Sequence, residues 1–220
     1  MGSTAFFEYH DKEVLWLKSH DSTLGNAIDE IGNIRRPVIS DLFEALIHSI
    51  AGQQISMKAH ETVWSRIKNL VSPIAPNVLA ETSVSDLQKC GITMRKALYI
   101  KEVADHIVNG NLNLEALHEL SDEQVVCRLS QIRGVGAWTA EMLMIFSMQR
   151  LDVMSWNDLA IHRGLRMLYR KKIITPELFA KYKRCYSPYA STASLYIWAI
   201  AGGACSTLTD PTIQQKKHCH

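Results

Sequence analysis

The sequence predicts an all-α protein, and three observations carry that expectation. Apolar residues recur at intervals of three and four along several segments, side chains suited to N-capping head those segments, and no segment shows sustained period-two alternation. No internal repeat or low-complexity stretch interrupts the pattern.

The elements follow in chain order. Asp41 with Glu44 three residues on has the spacing of a capping-box-like start, and Leu42, Phe43, Leu46, Ile47 and Ile50 recur at helical intervals, so a buried helix is expected from about 42 to 52. Ser56 can cap the next helix, whose apolar stripe is Val63, Ile67 and Leu70 and which ends before the breaker SPIAPN. Thr93 can start another, carrying Ala97, Ile100, Val103, Ala104 and Ile107 and stopping at Gly110. Ser121 and Gln124 form a capping box for a short helix through Val125, Val126 and Leu129.

Composition bounds the class. The 220 residues are 47% hydrophobic and 21% charged, which suits a globular chain of one or two domains. The sequence has no apolar run of 18 residues and starts without a basic and then apolar leader pattern, so a soluble, intracellular protein is expected, with no membrane partner. Five scattered cysteines, without C-x-x-C or iron-sulfur spacing, read as free thiols, and the tail KKHCH reads as solvated chain rather than a metal site. A net charge of +2 is too small to announce nucleic acid. Its distribution says more: Arg163, Arg166, Arg170, Lys171, Lys172, Lys181, Lys183 and Arg184 face a single acid within the run, Glu177. A solvated helix face and a DNA-contacting surface both fit that run.

The most informative stretch is LSQIRGVGAWTAEMLMIF, residues 129–146. Gly134 and Gly136 flanking one apolar residue let a helix end, turn sharply and restart near Ala137, which is a helix-hairpin-helix. The restarted helix offers N–H groups at its positive end, and absent glycine side chains let a phosphate come close; a tight structural turn accounts for the motif equally well. Downstream, Asp158 opens the apolar-periodic segment Leu159, Ile161, Leu165 and Leu168. By itself it reads as an ordinary N-cap or first-turn acid.

The ordered set GVGAWTAEMLMIF, DVMSWNDLAIHRGL and YSPYASTASLYIWAIAGG resembles the HhH-GPD superfamily of DNA base-excision glycosylases, and within it the AlkA branch of 3-methyladenine DNA glycosylases II. SIAGQQIS and RKALYIKEVA match further stretches, and the resemblance spans roughly residues 42 to 202. It implies a two-lobed helical fold: residues 42–150 form a central domain containing the hairpin at about 121–148, and 1–41 plus 151–220 form a second lobe, with Asp158 at the junction. Only about 40 residues precede the Asp41 helix, too few for the additional N-terminal β domain of longer AlkA-type enzymes.

The resemblance also implies roles residue by residue. Asp158 falls where the family places its catalytic carboxylate, although this chain has Asn157-Asp158 where the branch often has two adjacent acids. Trp138 stands where bifunctional relatives carry a nucleophilic lysine; an indole cannot form a Schiff base, so the implied enzyme is monofunctional and uses water. Trp138, Trp198 and Met142 are the implied walls for a base rotated out of the duplex, with core packing as the alternative for both tryptophans. Met142 and Ala190 depart from the branch's pattern, in which an aromatic can occur at the first position and an arginine or other polar residue is common at the second.

DNA contacts are implied for Gly134, Gly136, Thr139 and Arg163. Gln54, with Gln53 as the second choice, is implied as the side chain that fills the gap left by the base, while a role in satisfying backbone groups remains open for both glutamines. No cofactor is implied by the chemistry. The backbone carbonyls of Ser130, Ile132 and Gly134 match positions that hold a sodium or potassium ion in relatives.

The implied function is therefore excision of alkylated purines of the 3-methyladenine and 7-methylguanine type from double-stranded DNA by a monomeric enzyme. It would act in the cytoplasm or nucleoid of a prokaryote, or in a nucleus. The competing readings are a non-catalytic helix-hairpin-helix DNA-binding or scaffold protein and a glycosylase for neutral damaged bases.

Overall fold

The computed structural model describes residues 5–212, and the KKHCH tail at 216–220 lies outside them. The protein is all-α. Its helices are α1 (Asp11–His20), α2 (Ser22–Ile31), α3 (Leu42–Gly52), α4 (Met57–Leu70), α5 (Pro76–Glu81), α6 (Val84–Lys89), α7 (Met94–Val108), α8 (Asp122–Ser130), α9 (Ala137–Phe146), α10 (Leu159–Tyr169), α11 (Pro176–Tyr186) and α12 (Ala190–Ala201), with a 3₁₀ turn at Glu115–Glu119. Among the described residues β pairing is confined to an isolated antiparallel bridge between Phe6 and Pro37, and no helix is long and apolar enough to cross a membrane.

Capping decides where these helices begin. Asp41, Ser56, Thr93 and Ser121 each accept a bond from the backbone N–H three residues on, at Glu44, Ala59, Lys96 and Gln124, and Gln124 closes the capping box by accepting from the Ser121 N–H. Pro76 and Pro176 occupy first-turn positions of α5 and α11, where the missing N–H costs nothing.

The chain divides into two compact units. One comprises residues 39–148, the other residues 1–38 with 149–220. In the first, α7 packs against α3, α5 and α6 while α9 packs against α8 and α3, around a core that includes Leu46, Ile50, Ile67, Ile100, Val103, Leu129 and Ile145. The described cysteines Cys90, Cys127, Cys185 and Cys205 are free thiols.

The second unit is built on α10 against α12, with Leu17, Leu24, Ile161, Leu165, Tyr186, Ile197 and Ile200 in its core. Asp21 caps α2 through the Leu24 N–H and also accepts from the Tyr169 hydroxyl, which meets the Tyr186 hydroxyl as well. Tyr169 lies flat on Tyr182, ring centroids 4.1 Å apart. Burial pushes the Tyr186 hydroxyl well above its ordinary pKa, so the group stays a neutral hydrogen-bonding partner.

Close approach of α10 and α12 depends on Gly164. A Cβ there would lie 2.3 Å from the Ile197 carbonyl oxygen, a backbone atom that cannot swing aside. Gly164→Ala is therefore expected to destabilise the protein by about 1–3 kcal/mol, read as a lower urea midpoint. An unchanged midpoint would show that the two helices are not held at contact distance.

Candidate active site and nucleic-acid interface

The hairpin lies in the 39–148 unit. α8 ends at Ser130, the Ile132 N–H bonds to the Leu129 carbonyl and the Val135 N–H to the Ile132 carbonyl, and α9 restarts with Gly136 as its N-cap. Val135 is buried and anchors the turn from within. The first i→i−4 bond of α9 runs from the Ala140 N–H to the Gly136 carbonyl, so the N–H groups of Ala137, Trp138 and Thr139 form the positive first turn.

The two glycines do different things. Gly134 has φ +84°, and a Cβ on it would fall 2.2 Å from the Tyr99 ring; the fold itself requires glycine there. Gly136 has an ordinary φ of −98°, is exposed, and would place a Cβ in open space. Nothing inside the protein requires glycine at 136, and its bare backbone at a helix N-terminus is open to an anion from outside.

Trp138 and Met142 stand one turn apart on α9 and share a face. Trp138 is 41% exposed, unusual for so large an apolar ring, and Met142 is partly exposed. Thr139 is buried.

The glutamine pair is divided by the structure. Gln53 ends α3 and its side-chain amide donates to the Gly134 carbonyl at 2.8 Å, whereas Gln54 is exposed at the tip of the loop with φ +56°. The carbonyls of Ile132 and Gly134 each accept one hydrogen bond, from the Val135 N–H and from Gln53, and each keeps a second lone pair. Two of these carbonyl oxygens thus keep acceptor capacity of the type a hard monovalent cation takes. Among the described residues no three His, Cys, Asp or Glu side chains gather as a metal site.

Asp158 belongs to the other unit, where the loop that delivers it is pinned from α12. The fully buried Ser191 hydroxyl donates to the Arg150 carbonyl at 2.6 Å and accepts from the Val153 N–H at 2.9 Å, and Asp152 accepts from the Ala190 N–H and the Ser187 hydroxyl. Farther along, His162 Nε2–H donates to the Trp156 carbonyl at 2.7 Å. Asp158 then caps α10, with Oδ1 accepting from the N–H groups of Ala160 and Ile161 at 2.8 and 3.0 Å. Asp158 is 7% exposed, and its carboxylate is fixed in direction by the cap.

Trp198 is partly buried and packs against the core of this unit. The basic run is less uniform than its sequence suggests. Asp210 forms a two-pronged pair with Arg166, at 3.2 and 2.6 Å, and lies 3.9 Å from Arg163, and the Arg166 guanidinium holds its carboxyl well below the usual carboxylate range. Arg170, Lys171, Lys172, Lys181 and Arg184 are exposed.

Sequence reading missed the partners that place these groups. Ser191 and Ser194 look like ordinary small residues of an apolar helix, and Asp210 lies 44 positions from Arg166. Lys96 is another: it is buried in the first turn of α7, where periodicity marks only its neighbour Ala97.

A hairpin of this geometry places the chain among helix-hairpin-helix proteins. Residues 47–185 match the HhH-GPD superfamily base excision DNA repair protein family, and the chain belongs to that superfamily. DNA-3-methyladenine glycosylase 1 of Schizosaccharomyces pombe is 34% identical over 183 residues, 80% of this chain and 78% of the relative. The solved structure of the Schizosaccharomyces pombe 3-methyladenine DNA glycosylase in complex with abasic DNA matches with a TM-score of 0.76 at 31% identity, over 86% of this chain and 95% of that one. A DNA-3-methyladenine glycosidase from Bacillus halodurans matches with a TM-score of 0.79 at 33% identity, over 90% and 93%.

Separate reasons for the two glycines give separate outcomes. Gly134→Ala is expected to cost about 1 kcal/mol or more through its positive φ and the Tyr99 ring, while Gly136→Ala stays within about 0.5 kcal/mol of the parent. Denaturant melts of both variants check this, and equal losses would contradict the division of labour.

Proposed function

We propose that this protein is a monofunctional DNA glycosylase that hydrolyses the N-glycosidic bond of alkylated purines, of the 3-methyladenine and 7-methylguanine type, in base-excision repair. The observation that carries the reading is Asp158, a buried carboxylate whose direction is fixed by two backbone N–H groups. Named relatives that are 3-methyladenine glycosylases support it.

The chemistry follows from charge. As the base leaves with the bonding electrons, positive charge builds on the sugar, and a fixed anion stabilises it while orienting a water and accepting its proton as the water oxygen bonds to C1′. An N3- or N7-alkylated purine is already cationic and departs as a neutral base, so no general acid has to protonate it. The exposed Trp138 face attracts such a cation by about 0.5–2 kcal/mol, and Met142 beside it adds adaptable apolar contact. No amine stands at 138 to attack the sugar, so water is the nucleophile.

Binding to double-stranded DNA would rest on the bare Gly136 backbone and first turn of α9, aided by the exposed basic residues between Arg170 and Arg184, with affinity falling as salt rises. Arg163 contributes less than its neighbours because Asp210 already draws on its charge. Gln54, exposed at the loop tip, fills the gap left by the extruded base, since the Gln53 amide is committed to Gly134. The carbonyls of Ser130, Ile132 and Gly134 would hold a sodium or potassium ion, whose charge adds to the attraction for phosphate. We assign a monomer acting wherever the chromosome lies, nucleoid or nucleus.

Incubation with methylated duplex DNA, with chromatography of the released bases, tests the proposal. The expected products are 3-methyladenine and 7-methylguanine and a strand that stays intact until alkali or heat cleaves the abasic site. No base release, or a covalent adduct trapped by borohydride, would contradict it.

A further inference from the structure

Lys96 sits where helix electrostatics disfavour it. It is the third residue of α7, at that helix's positive end, and it is buried. Its ammonium reaches out of its own helix to the negative end of α3, donating to the carbonyls of Ala51 at 2.9 Å and Gln53 at 2.5 Å. Desolvation pushes its pKa below the ordinary lysine value, so the chain holds this charge at a cost that the two carbonyls offset.

The same end of α3 is held from α4. The His60 ring fills the space over Gly52, where a Cβ would fall 2.4 Å from it, and its Nε2 lies 2.9 Å from the His48 carbonyl. What leaves this clamp is the loop carrying Gln53 and Gln54. The Gln53 side chain crosses to the Gly134 carbonyl of the hairpin, and Gly134 rests against Tyr99, one turn beyond Lys96 on α7. A continuous path of contacts therefore runs from Lys96 through the Gln53 backbone and amide to the hairpin turn.

We propose that Lys96 is a positioning residue that locks the Gln53–Gln54 loop to the hairpin, so that seating the hairpin on a phosphate sets the loop tip at the height needed to hold an extruded base. This rests on the glycosylase reading above for its purpose, but the link itself is a property of the free protein. The ammonium serves no general need of α7, whose own first turn it disfavours. Its acceptors are both at the junction between α3 and the loop.

The test pairs hydrogen–deuterium exchange of the free protein with single-turnover base release. Lys96→Met is expected to raise exchange locally, in the peptides covering 53–56 and 132–136, and to slow release by about tenfold to a hundredfold, the penalty for a misplaced group, with little change in affinity for undamaged duplex. Gln53→Glu, nearly isosteric, sets an acceptor against the Gly134 carbonyl. It should reproduce the hairpin change and the slower release with Lys96 in place, and it carries the test if Lys96→Met does not fold. Loosening of 53–56 with the hairpin unchanged, a uniform rise across α3 and α7, or release at the parent rate from a loosened loop would each overturn the proposal. If the parent protein releases no base, the glycosylase reading fails, and the exchange data still decide whether loop and hairpin are linked.

Discussion

Backbone groups at the end of a short helix have no partner inside that helix, and this constraint shapes the molecule. Helices of six to fifteen residues leave many such ends. Several helix starts are closed by a side-chain cap, as at Ser56, Thr93 and Thr175. Three are closed in ways that do more. Asp158 closes the start of α10 with the carboxylate of the proposed reaction, Gly136 starts α9 with no side chain at all, and Lys96 closes the end of α3 with a charge borrowed from another helix. The proposed chemistry, backbone recognition and loop placement thus each draw on a helix terminus.

Stability and function are separable at these termini to different degrees. At Asp158 stability and the proposed chemistry are superimposed, since the oxygen that caps the helix also fixes where the carboxylate points. At the hairpin they are divided between two residues two positions apart. Gly134 satisfies the fold, through its positive φ and the Tyr99 ring, and Gly136 leaves an approach that the fold itself does not use. The loop to Asp158 is tied to the first turn of α12 from both sides: the Ser191 hydroxyl satisfies the Arg150 carbonyl and the Val153 N–H, and the loop's Asp152 carboxylate accepts from the Ala190 N–H.

Much of this was legible in the sequence, for identifiable reasons. Starts of α3, α4, α7 and α8 could be read because capping is local, involving residues three apart, and the G-V-G turn because glycine is the residue that its geometry needs. Asp158 was readable as a helix start from its neighbours, and a catalytic role is implied for it only by the family resemblance. Contacts between distant positions left no local trace. Asp210 pairs with Arg166, Gln53 with Gly134 and Lys96 with Ala51 across 44, 81 and 45 positions. The two glutamines look alike in the sequence, and only the fold commits one to the hairpin and leaves the other at the tip. Exposure of Trp138 likewise belongs to the folded surface, since tryptophan at helical spacing ordinarily reads as core.

In the proposed reaction the Asp158 carboxylate acts on charge, while its cap role is structural. Asp158→Asn separates the two, because the amide oxygen can still accept from Ala160 and Ile161 while the negative charge is gone. Single-turnover release of 3-methyladenine from methylated duplex, measured beside duplex affinity and the thermal midpoint, reads all three properties together. The account predicts release lowered by a thousandfold or more, on the order of 4 kcal/mol, with affinity and midpoint close to those of the parent. Release at near the parental rate from the folded variant would contradict it, leaving Asp158 as a helix cap alone.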